Sequence, residues 1–159
     1  MPPLDPDRFR SILGRFASGI TIVTALDASG GDHGMTVSAF CSVSLTPPLV
    51  LVCVDHAASM HGLLMQTEAV AVNILAEGQE AISRRFADPD GDRFDGIGFR
   101  RGERGVAVLD EALAHLEGTI VARHEAGDHT ILVIEAEQGS VHRERPLLYY
   151  RSGYAQLDR

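Results

Sequence analysis

The chain has 159 residues, 45% of them hydrophobic, and a formal net charge of −8. This length suits one domain with a real hydrophobic core, spanning residues 1–159, and the acidic charge argues against a nucleic-acid backbone as partner, since that needs clustered cations. No apolar run approaches the roughly 20 residues of a membrane-spanning helix, and no apolar signal core follows Met1, so we expect a cytoplasmic protein without a membrane partner.

The first predicted element is a helix that begins after Asp5 and ends near Gly19. Asp5 can cap it, and Pro6 fits its first turn. Apolar side chains recur in it at helical spacing, at Phe9, Ile12, Leu13 and Phe16. We therefore expect this apolar stripe to lie on a sheet.

A strand rich in β-branched residues follows at 20–25, and the Asp-Ala-Ser-Gly-Gly-Asp run at 27–32 turns the chain. Residues 34–46 then alternate apolar and hydroxyl side chains, interrupted only by Phe40. This alternation predicts one strand, paired with the preceding one, that places an apolar face on the core. Its other face carries small hydroxyls that let a polar ligand approach the backbone; the alternative is a Ser/Thr-rich surface facing solvent.

The rest of the chain is mostly strand. Further strands are predicted at 49–54, 69–75, 112–124, 130–138 and 147–150, with helices at 57–66 and 79–86, a polar loop at 87–105 and a turn at 127–128. Because short turns separate these strands and helices do not alternate with them, we expect a mainly β (α+β) fold with an antiparallel barrel.

Metal and nucleotide motifs are absent from the sequence. Cys41 and Cys53 lie among apolar residues without CxxC spacing, so we interpret both as small core residues and expect no metal. No GxSxG, HExxH or P-loop occurs, and the glycines at 96–102 lack the spacing of a Rossmann fingerprint. A metal module of His and Cys is the least favoured alternative, and six of the seven histidines fit surface or packing roles.

All 14 basic residues are arginines, and six of them lie between Arg84 and Arg104. Arginine prefers phosphates and carboxylates that it can hold with two hydrogen bonds. This segment therefore forms a local cationic patch on an acidic chain. The alternative for Arg84 and Arg85 is a solvated helix face.

Six segments resemble, in order, the flavin reductase-like domain family. They are Gly-Arg-Phe-Ala-Ser-Gly-Ile-Thr-Ile-Val-Thr at 14–24, Gly-Met-Thr-Val-Ser-Ala-Phe at 34–40, Ser-Val-Ser-Leu-Thr-Pro-Pro-Leu at 42–49, Val-Asn-Ile-Leu at 72–75, Gly-Asp-His at 127–129 and Pro-Leu-Leu-Tyr-Tyr at 146–150. The resemblance covers about residues 9–157. It implies an FMN-binding split β-barrel of antiparallel Greek-key type, with a few peripheral helices and typically a homodimer.

The resemblance also implies an activity, which is hydride transfer from NADH or NADPH to FMN or FAD. Members often supply reduced flavin to a partner monooxygenase. A flavin-binding carrier or sensor without turnover is the alternative. The sequence does not decide between FMN and FAD. We favour NADH over NADPH because the loop arginines Arg100, Arg101 and Arg104 fit a solvated role.

The resemblance implies that the hydroxyl segment contacts the flavin. The expected contact residues are Met35, Thr36, Val37, Ser38, Ala39, Ser42, Val43 and Ser44. Backbone amides and small hydroxyls can hydrogen-bond the flavin edge while its ring stays open to a hydride donor.

The flavin phosphate needs cations or a cluster of amides. Arg85, next to Phe86 near the end of a predicted helix, is the leading candidate, and the turn from Asp55 to Ser59 is expected to assist.

The nicotinamide substrate is expected beside His129, in the Gly-Asp-His motif, with Tyr154 closing the same pocket. His129 would orient the nicotinamide without transferring a proton. The alternatives are a turn-capping role for His129 and a packing role for Tyr154.

Overall fold

The computed structural model describes residues 1–142 and 145–158, and most of its regular structure is antiparallel strand. The strands are β1 (Ser18–Gly19), β2 (Thr21–Leu26), β3 (Asp32–Val37), β4 (Phe40–Leu45), β5 (Pro48–Asp55), β6 (Ala69–Ile74), β7 (Phe99–Arg101), β8 (Ala107–Leu109), β9 (Ala114–Ala126), β10 (His129–Val141), β11 (Leu148–Tyr150) and β12 (Gly153–Ala155). The helices are α1 (Pro6–Leu13), α2 (His61–Leu64) and α3 (Glu80–Ala87), the last preceded by a 3₁₀ turn at Glu77–Gln79. None of the helices in these described ranges is long and apolar enough to cross a membrane.

A seven-stranded sheet with the order β3-β2-β6-β9-β10-β5-β4 forms the body of the fold. β3 and β4 are consecutive in the chain yet lie at opposite edges of this sheet, with only Ser38 and Ala39 between them. The sheet must therefore curl until its two edges meet at these two residues, which we call the crossing. The predicted mainly β, antiparallel architecture is confirmed.

The barrel interior is filled by small branched side chains from every side of the sheet, among them Val23, Val52, Val72, Leu132 and Ile134. β2 is buried on both faces, since α3 and the β7–β8 hairpin cover the outside of the sheet there.

Buried polar side chains tie that outer layer to the barrel. Thr24 Oγ1 donates to the Ala107 carbonyl over 2.6 Å, and the Asn73 amide bridges the Ile22 carbonyl and the Leu109 N–H. Both of these buried side chains thus have hydrogen-bond partners, as a packed interior requires.

α1 differs from the prediction in length and packing. Asp5 caps it as expected by accepting from the Arg8 N–H, but the helix ends at Leu13 and not near Gly19. No residue of α1 is buried, and Phe9 and Ile12 are each 53% exposed. The expectation that its stripe lies on the sheet is wrong for a single chain, because α3 and the β7–β8 hairpin already cover the outer face of β2 and β6.

The predicted single strand at 34–46 is also wrong. It divides at the crossing into β3 and β4, and a bulge in β4 shifts its register between Ser42 and Ser44. Val43 and Leu45 do not face the core but are 49% and 89% exposed. Cys41 is likewise exposed and not a core residue, whereas Cys53 is half-buried; both thiols are free.

Other boundaries change less. The helix expected at 57–66 is the four-residue α2, and the loop expected at 87–105 contains β7, which pairs with β8. β9 and β10 extend two or three residues beyond their predicted ends, and the turn between them lies at 127–128 as predicted.

Candidate functional site

The crossing presents free backbone donors to solvent. Ser38 and Ala39 are both exposed, and no residue in the described ranges accepts a hydrogen bond from either of their N–H groups. The two carbonyls are used, since Phe40 N–H donates to Ser38 and Cys53 N–H donates to Ala39, each over 3.0 Å. Two exposed amide donors beside a small hydroxyl suit a flat ligand with acceptor atoms on its edge.

Among the expected flavin contacts in β3, which are Met35, Thr36 and Val37, Thr36 has the polar side chain. Thr36 Oγ1 donates to the Ser83 carbonyl of α3 over 2.6 Å, so its oxygen can only accept a further hydrogen bond. Val37 is buried in the barrel core, and Met35 packs against that core. A ligand can therefore reach these two residues mainly through their backbone.

A cleft of about 190 Å³ lies between β3, α3 and the β11–β12 hairpin, and Thr36, Ser38 and Tyr154 all line it. Tyr154 is held firmly there. Its hydroxyl lies 2.9 Å from Ser83 Oγ, and the Arg84 guanidinium lies 4.7 Å from its ring centre. The structure thus brings the predicted nicotinamide residue Tyr154 to the same cleft as the hydroxyl segment, with Ser83 between them.

On the β4 side, Ser42 and Val43 are exposed and Ser44 is half-buried. No described residue hydrogen-bonds the hydroxyls of these two serines. The β4 bulge interrupts the alternation at Val43, so the two hydroxyls do not continue the regular row that the sequence predicts.

The turn after β5 is shaped by Asp55, whose Oδ1 accepts from the Ala57 N–H over 2.8 Å. Ser59 is exposed at its end, and Arg93 reaches it from the loop after α3, with Nη2 3.5 Å from Ser59 Oγ. Arg93 Nη1 also donates to the Gly34 carbonyl over 2.7 Å. Arg93 therefore joins β3 to the turn at Asp55–Ser59, a contact that sequence reasoning missed although Arg93 lies in the arginine-rich segment.

Arg85 and Phe86 lie apart from that turn. Arg85 is exposed near the end of α3 and donates to the Asp95 carbonyl, and it lines a cleft with Asp88 and Arg93 that does not include Ser59. Phe86 is fully buried, and its ring packs edge-on against Phe94 at 5.1 Å between ring centres. The Phe86 side chain is thus core, and a ligand could contact only its backbone.

His129 begins β10 and lies opposite Asp55 in the sheet. Its ring is 40% exposed, and its Nδ1 lies 2.7 Å from Asp128 Oδ1. This hydrogen bond is the main cause that lowers the pKa of the Asp128 carboxyl. Because an ionised carboxylate only accepts, Nδ1 carries the proton, and a neutral His129 ring turns a bare Nε2 outward as an acceptor.

These segments converge on one side of the barrel. Ala39 bonds Cys53, which lies two residues before Asp55, and Asp55 pairs with His129. The crossing, the Asp55–Ser59 turn and His129 are therefore neighbours along β5. Arg85 lies apart from that turn, and Tyr154 lines the cleft beside α3, whose lining does not include His129. Within the described ranges, no cluster of three or more His, Cys, Asp or Glu side chains is arranged to hold a metal ion.

Comparison with known proteins identifies relatives over nearly the whole chain. The flavin reductase like domain family matches residues 13–158. An NADH-dependent flavin reductase from a Rhodococcus species is 43% identical over 163 residues, which cover 99% of this chain and 89% of the relative. The reductase component of 4-nitrophenol 4-monooxygenase/4-nitrocatechol 2-monooxygenase from Rhodococcus opacus is 38% identical over 154 residues, covering 97% and 82%.

A solved structure is similarly close. The NADH:FAD oxidoreductase of Streptomyces globisporus C-1027, in complex with NAD and FAD fragments, superposes with a TM-score of 0.92 at 36% identity. The match covers 99% of this chain and 98% of that one.

Proposed function

The chain belongs to the flavin reductase like domain family and is an NAD(P)H-dependent flavin reductase, and on this premise we propose that NADH is its reductant and FMN or FAD its flavin. The observation that carries the site is the exposed crossing. Its two amide donors have no acceptor among the described residues, and they lie in the segment that the family resemblance assigns to the flavin. A bound flavin supplies the redox chemistry by taking a hydride from the nicotinamide.

The chain's own residues bind the flavin and orient it. Ser38 and Ala39 donate from their backbone to the flavin edge, Thr36 accepts, and Ser42 and Ser44 offer further hydroxyls. The Asp55–Ser59 turn, with Arg85 or Arg93 as cation, holds the phosphate. Because the Tyr154 hydroxyl is fixed by Ser83, Tyr154 forms a rigid wall at the other side of the cleft.

His129 orients the nicotinamide. Its outward Nε2 is an acceptor when the ring is neutral, and the carboxamide of nicotinamide offers an NH₂ donor, so we assign this pair in preference to a contact with the pyrophosphate. Alignment of the two rings, without a proton transfer, is the contribution we give to His129.

NADH is favoured over NADPH because two of the loop arginines are already paired with carboxylates. Arg101 binds Asp32 with two hydrogen bonds, one of them Nη2 to Oδ2 at 2.8 Å, and Arg104 Nη1 lies 2.7 Å from Glu137 Oε2. These two guanidinium groups are already neutralised by carboxylates, which leaves them poorly suited to a 2′-phosphate.

We propose that reduced flavin leaves the protein and serves a partner monooxygenase. The crossing is open to solvent, so this chain alone does not enclose a flavin ring. The Rhodococcus opacus relative is a reductase component of a monooxygenase. The relatives are named for reductase activity, which favours turnover over a carrier or sensor.

A homodimer is proposed on the exposed apolar surface. Phe9, Ile12, Leu13 and Phe16 of the α1 region and Val43 and Leu45 of β4 are all about half exposed or more. Monomeric proteins rarely leave such apolar groups uncovered in number, and a second copy would cover them. We also retain a single domain and a cytoplasmic location, where NADH is regenerated.

The test is a steady-state assay that crosses NADH and NADPH with FMN, FAD and riboflavin. We expect NADH oxidation that depends on added flavin, with a higher kcat/KM for NADH than for NADPH. Flavin binding without nucleotide oxidation would instead support the carrier alternative.

A further inference from the structure

Two turns that the proposed function uses lie side by side at one end of β5 and β10. The Asp55–Ser59 turn is assigned to the flavin phosphate, and the Gly127–His129 turn to the nicotinamide. Asp55 and His129 are paired in the sheet, and the His56 N–H donates to the Asp128 carbonyl over 2.9 Å. The two turns are therefore joined through their backbones.

Side chains join the same turns a second time. His56 Nε2 lies 2.7 Å from Glu125 Oε2, and Thr130 Oγ1 donates to Glu125 Oε1 over 2.9 Å. His61 Nε2 lies 2.9 Å from Thr130 Oγ1. Glu125 and Thr130 stand on either side of the Gly127–His129 turn, so two histidines from the segment after β5 hold both ends of it.

The number of protons on each group decides which atoms donate and which accept in this network. Thr130 has a single hydroxyl proton, which it donates to Glu125, so its oxygen must accept from His61 Nε2–H. Glu125 accepts from both Thr130 and His56, and these bonds lower the pKa of its carboxyl, the Thr130 bond most. The His56 and His61 rings also meet edge to face, with centres 5.0 Å apart. Both rings are thereby fixed in orientation.

We propose that His56 is a positioning residue that couples the phosphate turn to His129; this rests on the proposed function. A phosphate bound at Asp55–Ser59 orders the segment that contains His56. Through its side-chain bond to Glu125, His56 then orders the turn that presents His129 to the nicotinamide. The nucleotide therefore binds more tightly beside FMN than beside riboflavin, which lacks the phosphate.

The test is calorimetric titration with NAD⁺, which binds without reducing the flavin, on protein saturated with FMN or with riboflavin. For the wild type we expect the NAD⁺ Kd to be at least roughly fivefold lower with FMN, the lower end of typical coupling between sites. His56→Ala should bring this ratio close to one. Glu125→Leu should do the same, because a side chain of similar size then offers no acceptor to His56. His124→Ala, an exposed histidine on the same strand, is the matched control and should keep the wild-type ratio.

His129→Ala should also bring the ratio of the two NAD⁺ Kd values close to one. Adding His56→Ala to this variant should not change the ratio further. A wild-type ratio of one, or a ratio that survives both His56→Ala and Glu125→Leu in folded protein, would overturn the coupling while NADH-dependent flavin reduction still stood. A wild-type chain that reduces no flavin would overturn the proposed function and the coupling with it.

Discussion

His129 has one ring nitrogen bonded to Asp128 and the other turned outward, which makes it a residue for binding rather than for proton transfer. We expect His129→Ala to raise the KM for NADH with a smaller effect on flavin affinity. Loss of one hydrogen bond between neutral groups costs about 0.5–1.5 kcal/mol, so kcat/KM for NADH should fall roughly two- to tenfold. Steady-state kinetics and the thermal midpoint, measured on the same variant, provide the check.

Three results of that experiment separate three roles. A raised KM with residual kcat agrees with orientation of the nicotinamide. A collapse of kcat at saturating NADH would instead identify a general acid, and unaltered kinetics with a lower thermal midpoint would identify a turn residue. His124→Ala again serves as control, since His124 is exposed and makes no hydrogen bond to a described side chain.

Arg85 is an exposed cation near the end of α3, and it shares a cleft with Arg93, the arginine that reaches the Asp55–Ser59 turn. We expect Arg85→Ala to weaken FMN more than riboflavin, because only FMN carries the phosphate that a guanidinium can hold. Flavin fluorescence quenching gives both Kd values. Arg100→Ala removes the same charge from an exposed loop strand and should weaken neither flavin.

If Arg85→Ala weakened FMN and riboflavin binding equally, the phosphate would not bind at Arg85. The same comparison on Arg93→Ala then becomes decisive, because Arg93 already reaches Ser59 and Gly34. A selective loss of FMN binding in that variant would assign the phosphate to the Asp55–Ser59 turn and its arginine.

At the scale of elements, the crossing between β3 and β4 can be blocked without disturbing the core. Ser38 is exposed, so the larger side chain of Ser38→Tyr has room in the folded chain but covers the free amide donors. We expect flavin binding to be lost at an unchanged thermal midpoint. Ala28→Tyr adds a ring at an exposed position beyond the other end of β3 and should leave flavin affinity intact. Wild-type affinity in Ser38→Tyr would remove the crossing from the site.

The long β9–β10 hairpin depends on close contact between its strands at Gly118. A Cβ there would overlap the backbone carbonyl of Glu135, so Gly118→Ala should lower the free energy of unfolding by at least about 2 kcal/mol. Gly62→Ala is the control, because no atom lies within 4 Å of a Cβ at that position of α2. The control should be neutral or gain up to about 1 kcal/mol. Urea midpoints compare the two, and equal midpoints would contradict the assigned packing.

Elements that depend on local pattern could be predicted from the sequence. β2, β5, β6 and α3 lie close to their predicted ranges, because β-branched runs and helical spacing report directly on local conformation. The division of 34–46 could not be predicted in the same way. Alternation persists across the crossing, whereas the choice of two different sheet edges is a property of the whole topology.

The candidate site shows the same limit. Thr36, Ser38 and His129 were predicted from the family resemblance, and they lie on segments that the barrel brings together. Ser83, Arg93 and His56 were missed because their contacts join residues far apart in the chain, such as Arg93 to Gly34. Helical spacing likewise identified the apolar face of α1 but not what covers it.

At the scale of the whole molecule, we expect a dimer that buries the apolar face of α1. Ile12→Glu places a charge in this face and should shift sedimentation toward the monomer, because burying an unpaired charge is costly. Ser11→Glu adds the same charge on the opposite face of the helix and should sediment as the wild type. A wild-type monomer that still oxidises NADH would refute the dimer and show that one chain completes the site.

Among the described residues, β4 pairs with β5 alone, because it forms an edge of the seven-stranded sheet. Its sequence, Phe-Cys-Ser-Val-Ser-Leu, contains no charged residue and no proline, the devices that usually keep an edge strand from recruiting a foreign strand. The openness that admits a flavin therefore also makes this edge a template for self-association. Concentrated protein stored without flavin should aggregate sooner than flavin-saturated protein. A charged residue introduced on the exposed side of β4 should slow this aggregation but lower the affinity for flavin.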